Sequence, residues 1–216
     1  MTNSRHGIDM TTGAILPKIL KFTLPLMLSS ILQLLFNAAD IIVVGNFASD
    51  NSLAAVGSTT ALVNLMTNLF LGLSTGANVL PAHYMGAGDD QRVSRTVHTS
   101  ITLSIVSGLI MTFVGVLFAD KLLGLMDTPD EVIDLSTLYL RIYFTGMVAM
   151  MIYNFGSSLL RSKGDTKRPL YYLAFAGVIN VVLNLIFVIL LKMDVAGVAL
   201  ATIISQFISA ALIIIC

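Results

Sequence analysis

Residues 22–46 read FTLPLMLSSILQLLFNAADIIVVGN, an apolar run interrupted by a single charge, Asp40. An α-helix rises about 1.5 Å per residue, so about 20 such residues cross the hydrocarbon core of a bilayer. Lys18 and Lys21 precede the run as the basic end of a secretory signal would. A signal's apolar core, however, is only about 7–15 residues long. The run therefore reads as a first spanning helix that stays in the protein.

The same pattern recurs along the chain. Further spans are expected at 53–80, 97–118, 135–160, 170–191 and 196–216, separated by short polar or charged turns. Residues 1–14 read as a cytoplasmic tail and 15–216 as a six-helix transmembrane bundle, which makes the fold class an all-α integral membrane protein. Composition agrees, with 56% hydrophobic and 11% charged residues in a chain of 216. A water-soluble surface ordinarily carries about 25% charge. Twelve basic residues balance twelve acidic ones, so no basic field is available for nucleic acid. A single cysteine, Cys216, and three scattered histidines, His6, His83 and His98, offer neither a disulfide framework nor a metal cluster.

The distribution of charge is more informative than its sum. With the tail in the cytoplasm, that side carries Arg5, Lys18, Lys21, Arg92, Arg95, Arg161, Lys163, Lys167 and Arg168. The opposite side carries only Lys121 and Lys192, with Arg141 inside the fourth span near its outer end. This positive-inside bias predicts a multi-pass protein of the plasma (inner) membrane with its N-terminus in the cytoplasm. The sequence closes on Ile213, Ile214, Ile215 and Cys216, without the polar or basic exit usual for a last helix. The chain is therefore expected to be one half of a longer protein.

An ionisable group inside a span costs roughly 2.5–3.5 kcal/mol on insertion scales and needs a reason to be there. Gln33, Asn37 and Asp40 follow i, i+4, i+7 and share one face of the first helix. A polar stripe ending in a carboxylate suits a water-filled cavity that takes up a cation, Na+ among them. The plainer reading places Asp40 near the outer interface, solvated. Asn180 and Asn184 share a face of the fifth helix, Thr202, Ser205, Gln206 and Ser209 a sector of the sixth, and Thr60, Asn64, Thr67, Asn68 and Thr75 mark the second. These faces either converge on a common cavity or hydrogen-bond between helices, at about 0.6 kcal/mol each. Gly72 with Gly76, and the stripe Gly197, Ala201, Ser205 and Ser209, are expected to let helices approach closely. Met147, Met150 and Met151 read as packing residues or as a soft binding wall.

There is no GxSxG, Walker A or HExxH motif and no paired-carboxylate site, so an enzyme is not expected. Uphill movement of a solute would have to draw on an ion gradient or a separate motor. No cofactor is expected beyond H+ or Na+ as coupling ion.

Three segments together resemble the MATE family of multidrug and toxic-compound extrusion transporters. They are Leu24-Pro25 with 37–45 (NAADIIVVG), the first cytoplasmic loop Tyr84-Met85-Gly86-Ala87-Gly88-Asp89, and the second, Leu160-Arg161-Ser162-Lys163-Gly164-Asp165-Thr166-Lys167-Arg168-Pro169. The resemblance runs from about residue 15 to the end and implies the first of two six-helix lobes. It further implies export of drugs, organic cations or amphiphilic metabolites in exchange for H+ or Na+. By position it makes Asp40 a cation-coupling residue, places Asn180 and Thr202 in the same network, and matches Tyr139 to a tyrosine of the fourth helix. Asn184 stands where many proton-coupled members have a second aspartate, and an amide cannot release a proton in this range. His83 stands where the family often has glutamine. Partners implied are the bilayer, amphiphilic or cationic small molecules, and a C-terminal half or second copy.

Two rivals remain open at the level of sequence. A lipid-linked oligosaccharide flippase of the same superfamily would want several basic residues in its cavity, and the spans hold only Arg141. A non-transporting membrane assembly protein would use its polar faces only to join helices or partners.

Overall fold

A computed structural model describes Ile8 and residues 13–216 apart from Asn78. The rest of the expected tail, Arg5 included, lies outside the described residues. Among those described there is no strand. The helices are α1 (Ile15–Phe47), α2 (Asp50–Ala77), α3 (Val79–Gly86), α4 (Asp90–Leu125), α5 (Asp130–Thr145), α6 (Met147–Ser162), α7 (Lys167–Leu185) and α8 (Asp194–Ile215). A π-helical turn, Ile186–Leu190, joins α7 to the loop before α8.

Five stretches are long and apolar enough to cross a membrane, and α5 with α6 makes a sixth if the pair is one span. These match the six expected segments in order. The fourth departs from the single helix predicted over 135–160, because its two halves meet at a bend of 49°. Gly146 sits at the break, and its N–H bonds Tyr143 O at 3.1 Å, one residue short of the α-helical pattern. Thr112 of α4 donates its hydroxyl to Phe144 O at 2.8 Å, occupying a carbonyl that the break leaves without its usual partner. A side chain inserted into the hydrogen-bond ladder is one of the few ordinary causes of a sharp kink.

The bundle packs around three apolar clusters. Val43 and Val44 of α1 meet Ala55, Val56, Val132, Tyr139, Val188, Val195 and Val198. Leu62, Met111, Leu123, Leu140, Phe144, Met147, Met151 and Phe155 knit α2, α4, α5 and α6. Tyr153, Leu173 and Ile213 join α6, α7 and α8. Met147 and Met151 are thus packing residues, while Met150 is only half-buried at the edge of the second cluster.

The two glycine-containing loop motifs act as helix stops and starts. In the first, Gly88 adopts φ +71°, and Asp89 caps α4 by accepting from Arg92 N at 3.0 Å; Gly86 closes α3. In the second, Gly164 adopts φ +78°, a left-handed conformation that glycine reaches without strain. Asp165 Oδ1 then accepts from the amides of Lys167 and Arg168, both at 3.2 Å, and starts α7. A carboxylate at this position also favours the positive end of the helix dipole.

The two small-residue patterns part company. Ala201, Ser205 and Ser209 are buried, and a Cβ at Gly197 would lie 2.9 Å from Phe187 Cβ. At Gly72 and Gly76, by contrast, a Cβ would meet nothing within 4 Å. The close packing expected of that pair is not made within this chain.

Candidate functional site

One set of polar residues that meet inside the bundle comes from α1, α7 and α8. Phe36 and Asp40 lie one turn apart on α1, and Gly177, Asn180 and Asn184 share the facing side of α7. A Cβ at Gly177 would fall 1.9 Å from Phe36 Cε2, so only glycine admits the Phe36 ring there. That close approach draws α1 against α7 and brings Asp40 onto Asn184.

A continuous hydrogen-bonded chain results. Asn184 Nδ2 donates to Asp40 Oδ1 and lies 3.3 Å from Asn180 Oδ1. Asn180 Nδ2 donates to Thr202 Oγ1 at 3.3 Å, and that hydroxyl donates to Val198 O at 3.0 Å. Asn184 is wholly buried, Asn180 nearly so, and Asp40 half-buried.

One atom of the set is left over. Asn184 Oδ1 is buried and has no hydrogen-bond partner. Leaving such an acceptor unpaired costs about 1–3 kcal/mol. Turning the amide over would not help, because its oxygen would then face Asp40 Oδ1 and Asn180 Oδ1, both acceptors. Leading away from the carboxylate along this chain are neutral oxygens of Asn184, Asn180 and Thr202, of which Asn184 Oδ1 is unsatisfied. Hard cations such as Na+ take oxygen donors of this kind. Among the described residues no group of three or more His, Cys, Asp or Glu could hold a metal ion.

Tyr139 is buried in the apolar cluster beneath the site and stacks on Tyr143, ring centroids 5.9 Å apart. Both tyrosines are near enough to Asp40 to feel its charge. Tyr143, which sequence reasoning passed over, contributes to a small cavity lined by Gly146, Met150, Thr202, Ile203 and Gln206. Its spacing of i+4 from Tyr139 was the available signal. Thr202 therefore touches both the amide chain and this cavity.

Gln33 and Asn37 are not part of the network. Both are exposed on α1, as are Thr60, Asn64, Asn68 and Thr75 on α2. The stripe splits because Asp40 turns toward α7 while the residues one and two turns earlier face outward. Gly86, Gly88, Asp89, Arg161, Gly164, Asp165, Lys167 and Pro169 lie in or beside the two loops, away from this site. Arg141, the basic residue within the spans, is held by Asp120, with its Nη2 2.8 Å from each carboxylate oxygen.

Comparison with known proteins fits this arrangement. The MatE family model matches residues 25–186. A probable multidrug resistance protein of Bacillus subtilis, YpnP, is 33% identical over 200 residues, covering 92% of this chain and 44% of YpnP. A second from the same organism, YoeA, is 32% identical over 188 residues, covering 85% and 41% respectively. A crystal structure of MATE in the bent conformation superposes with a TM-score of 0.85 at 29% identity, over 91% of this chain and 44% of that one. The chain thus spans a little under half the length of the relatives it matches.

Proposed function

Because the chain belongs to the MatE family, we propose that it serves as the N-terminal lobe of a secondary antiporter that exports cationic or amphiphilic small molecules in exchange for Na+ or H+. The family is one of membrane transporters rather than enzymes. The observation that carries the proposal is the half-buried carboxylate of Asp40, tied to an amide chain with one oxygen unsatisfied.

In this reading the outer side loads a cation at Asp40, where Asn180, Asn184 and Thr202 supply neutral oxygens. Neutralising the carboxylate removes the charge that favours a cationic substrate, which leaves outward. Substrate arriving from the cytoplasm restores the ionised state. Substrate and ion are coupled because they compete for one charge. The unpaired Asn184 Oδ1 favours Na+ over H+, since a metal cation satisfies the carboxylate and the amide oxygen together.

The exposed polar faces of α1 and α2 belong to the same reading. Gln33, Asn37, Asn64 and Asn68 are poorly suited to lipid and well suited to a wet cavity. A second lobe, either a C-terminal half or another copy of this chain, would close that cavity. The plasma membrane, with the N-terminus inside, follows from the distribution of basic residues.

The test is ethidium efflux in cells lacking their own pumps, with the chain expressed together with a C-terminal MATE lobe. Asp40→Asn keeps the shape and an acceptor for Asn184 but removes the charge. Efflux is expected to fall at least about tenfold, as loss of a single charge-assisted interaction implies. Efflux equal to wild type would sink the proposal. Purified chain in detergent should also bind 22Na+ in a manner lost in the same variant.

A further inference from the structure

A second set of unpaired polar atoms lies at the cytoplasmic end of α6. Tyr153, Ser157 and Arg161 follow one another at i, i+4, i+8 and so share one side of the helix. Tyr153 is buried and donates its hydroxyl to Pro169 O at 3.0 Å, which ties this side of α6 to the first turn of α7. Ser157 is 1% exposed, and its Oγ lies beside the Tyr153 hydroxyl without a well-formed hydrogen bond. Arg161 Nε is likewise buried without a partner, while the residue as a whole is partly exposed. Tyr153 is near both Ser157 and Arg161, so the three form one group. Just beyond the turn, Thr166 Oγ1 is also buried and unpaired.

Burying part of a guanidinium without a counter-ion is costly, and in folded proteins such groups are almost always paired. Among the described residues no carboxylate forms an ion pair with Arg161. The nearest in sequence, Asp165, is already engaged by the amides of Lys167 and Arg168 and by Arg168 Nε at 3.2 Å. The site therefore offers donors to an anion and, among the described residues, holds no anion of its own. Lys163 and Lys167 are exposed beside it and Arg168 is half-buried, which adds a positive field.

We propose that Arg161 and Ser157 form a receptor for a phosphate group, and that its occupant is the phosphodiester headgroup of an anionic lipid of the cytoplasmic leaflet. The planar guanidinium is suited to phosphate oxygens, and the serine hydroxyl supplies a further donor. Basic pockets between spanning helices on the cytoplasmic side bind anionic headgroups by this chemistry. Arg161 lies in the last turn of α6, which in the six-span reading is the end of the fourth span, where headgroups begin. A free phosphate would satisfy the same donors, but it would not need a site at the depth of the headgroups.

The full chain would be placed in nanodiscs of phosphatidylcholine with and without phosphatidylglycerol, then released into detergent for native mass spectrometry. Wild type is expected to retain one phosphatidylglycerol and to melt at a higher temperature in discs that contain it. Arg161→Gln should lower retention about tenfold, in keeping with the loss of charge-assisted hydrogen bonds. Ser157→Ala, which is mild enough to fold normally, should lower it a few-fold. Lys192→Gln, in the loop before α8 and outside this site, should leave the single bound lipid in place. Equal retention by wild type and Arg161→Gln would overturn the proposal. So would a rise in melting temperature with millimolar inorganic phosphate in pure phosphatidylcholine while phosphatidylglycerol is not retained, because the occupant would then be soluble phosphate. The readout is lipid binding, so it stands or falls independently of antiport.

Discussion

At the scale of single residues, the site depends on what Asn184 does with its two ends. Its nitrogen serves Asp40 and Asn180, and its oxygen serves nothing among the described residues. Replacing it with alanine removes the donor that steadies the carboxylate and the oxygen available to a cation. Asn184→Ala is expected to weaken 22Na+ binding by about tenfold or more, as the loss of a hydrogen bond to a charged group implies. Binding at wild-type affinity would mean that the amide only fills space. The sequence made Asp40 conspicuous, because a lone carboxylate in an apolar run is costly. It also paired Asn180 with Asn184 by spacing. It could not reveal that Gln33 and Asn37 face away from Asp40. Periodicity gives the residues of a helix a common side but does not say which neighbour that side meets, and the polar sector of α1 is wide enough to serve two directions.

At the scale of elements, the meeting of α1 and α7 rests on a ring lying over a glycine. Gly177→Ala would drive a methyl group into Phe36, and overpacking of this kind typically costs about 1–3 kcal/mol. The variant should melt at a lower temperature and bind cation less well, since Asp40 sits one turn from Phe36. Adding Phe36→Leu should recover part of both, and a double-mutant cycle would measure the coupling. Absence of coupling would mean that the two helices are positioned by other contacts. The broken fourth span is the feature of this scale least legible in sequence. Residues 135–160 carry no proline, and Gly146 alone is a weak signal because glycines are common in spanning helices. The break depends on Thr112 reaching Phe144 O from another helix, a contact made only once the bundle has assembled. The loops were easier to read, because their glycines and aspartates act on neighbours a few residues away.

At the scale of the whole molecule, number and order of spans were legible because each needs only a long apolar run, and the described helices fall where those runs lie. What lies across the exposed polar face of α1 and α2 was not, because a single chain records a partner only as polarity without an explanation. The reading of a second lobe predicts that this chain alone, in proteoliposomes, binds cation but moves little ethidium, and that adding a C-terminal lobe restores efflux. Full efflux by the lone chain at a dilution that keeps it monomeric would refute the need for a second lobe.

The open side of α2 makes folding and assembly separable. At Gly57, Gly72 and Gly76 there is room for a side chain, since a Cβ would touch nothing among the described residues. Alanine there should hold or slightly raise the melting temperature of the isolated chain, because glycine inside a helix costs up to about 1 kcal/mol relative to alanine. A bulky Gly72→Leu should be equally harmless to the chain alone, yet it would stand in the way of any second lobe seated on that face. The same substitution that the fold ignores would then be read by the partner, and crosslinking between lobes, lost in Gly72→Leu while the melting curve is unchanged, would map where the two meet.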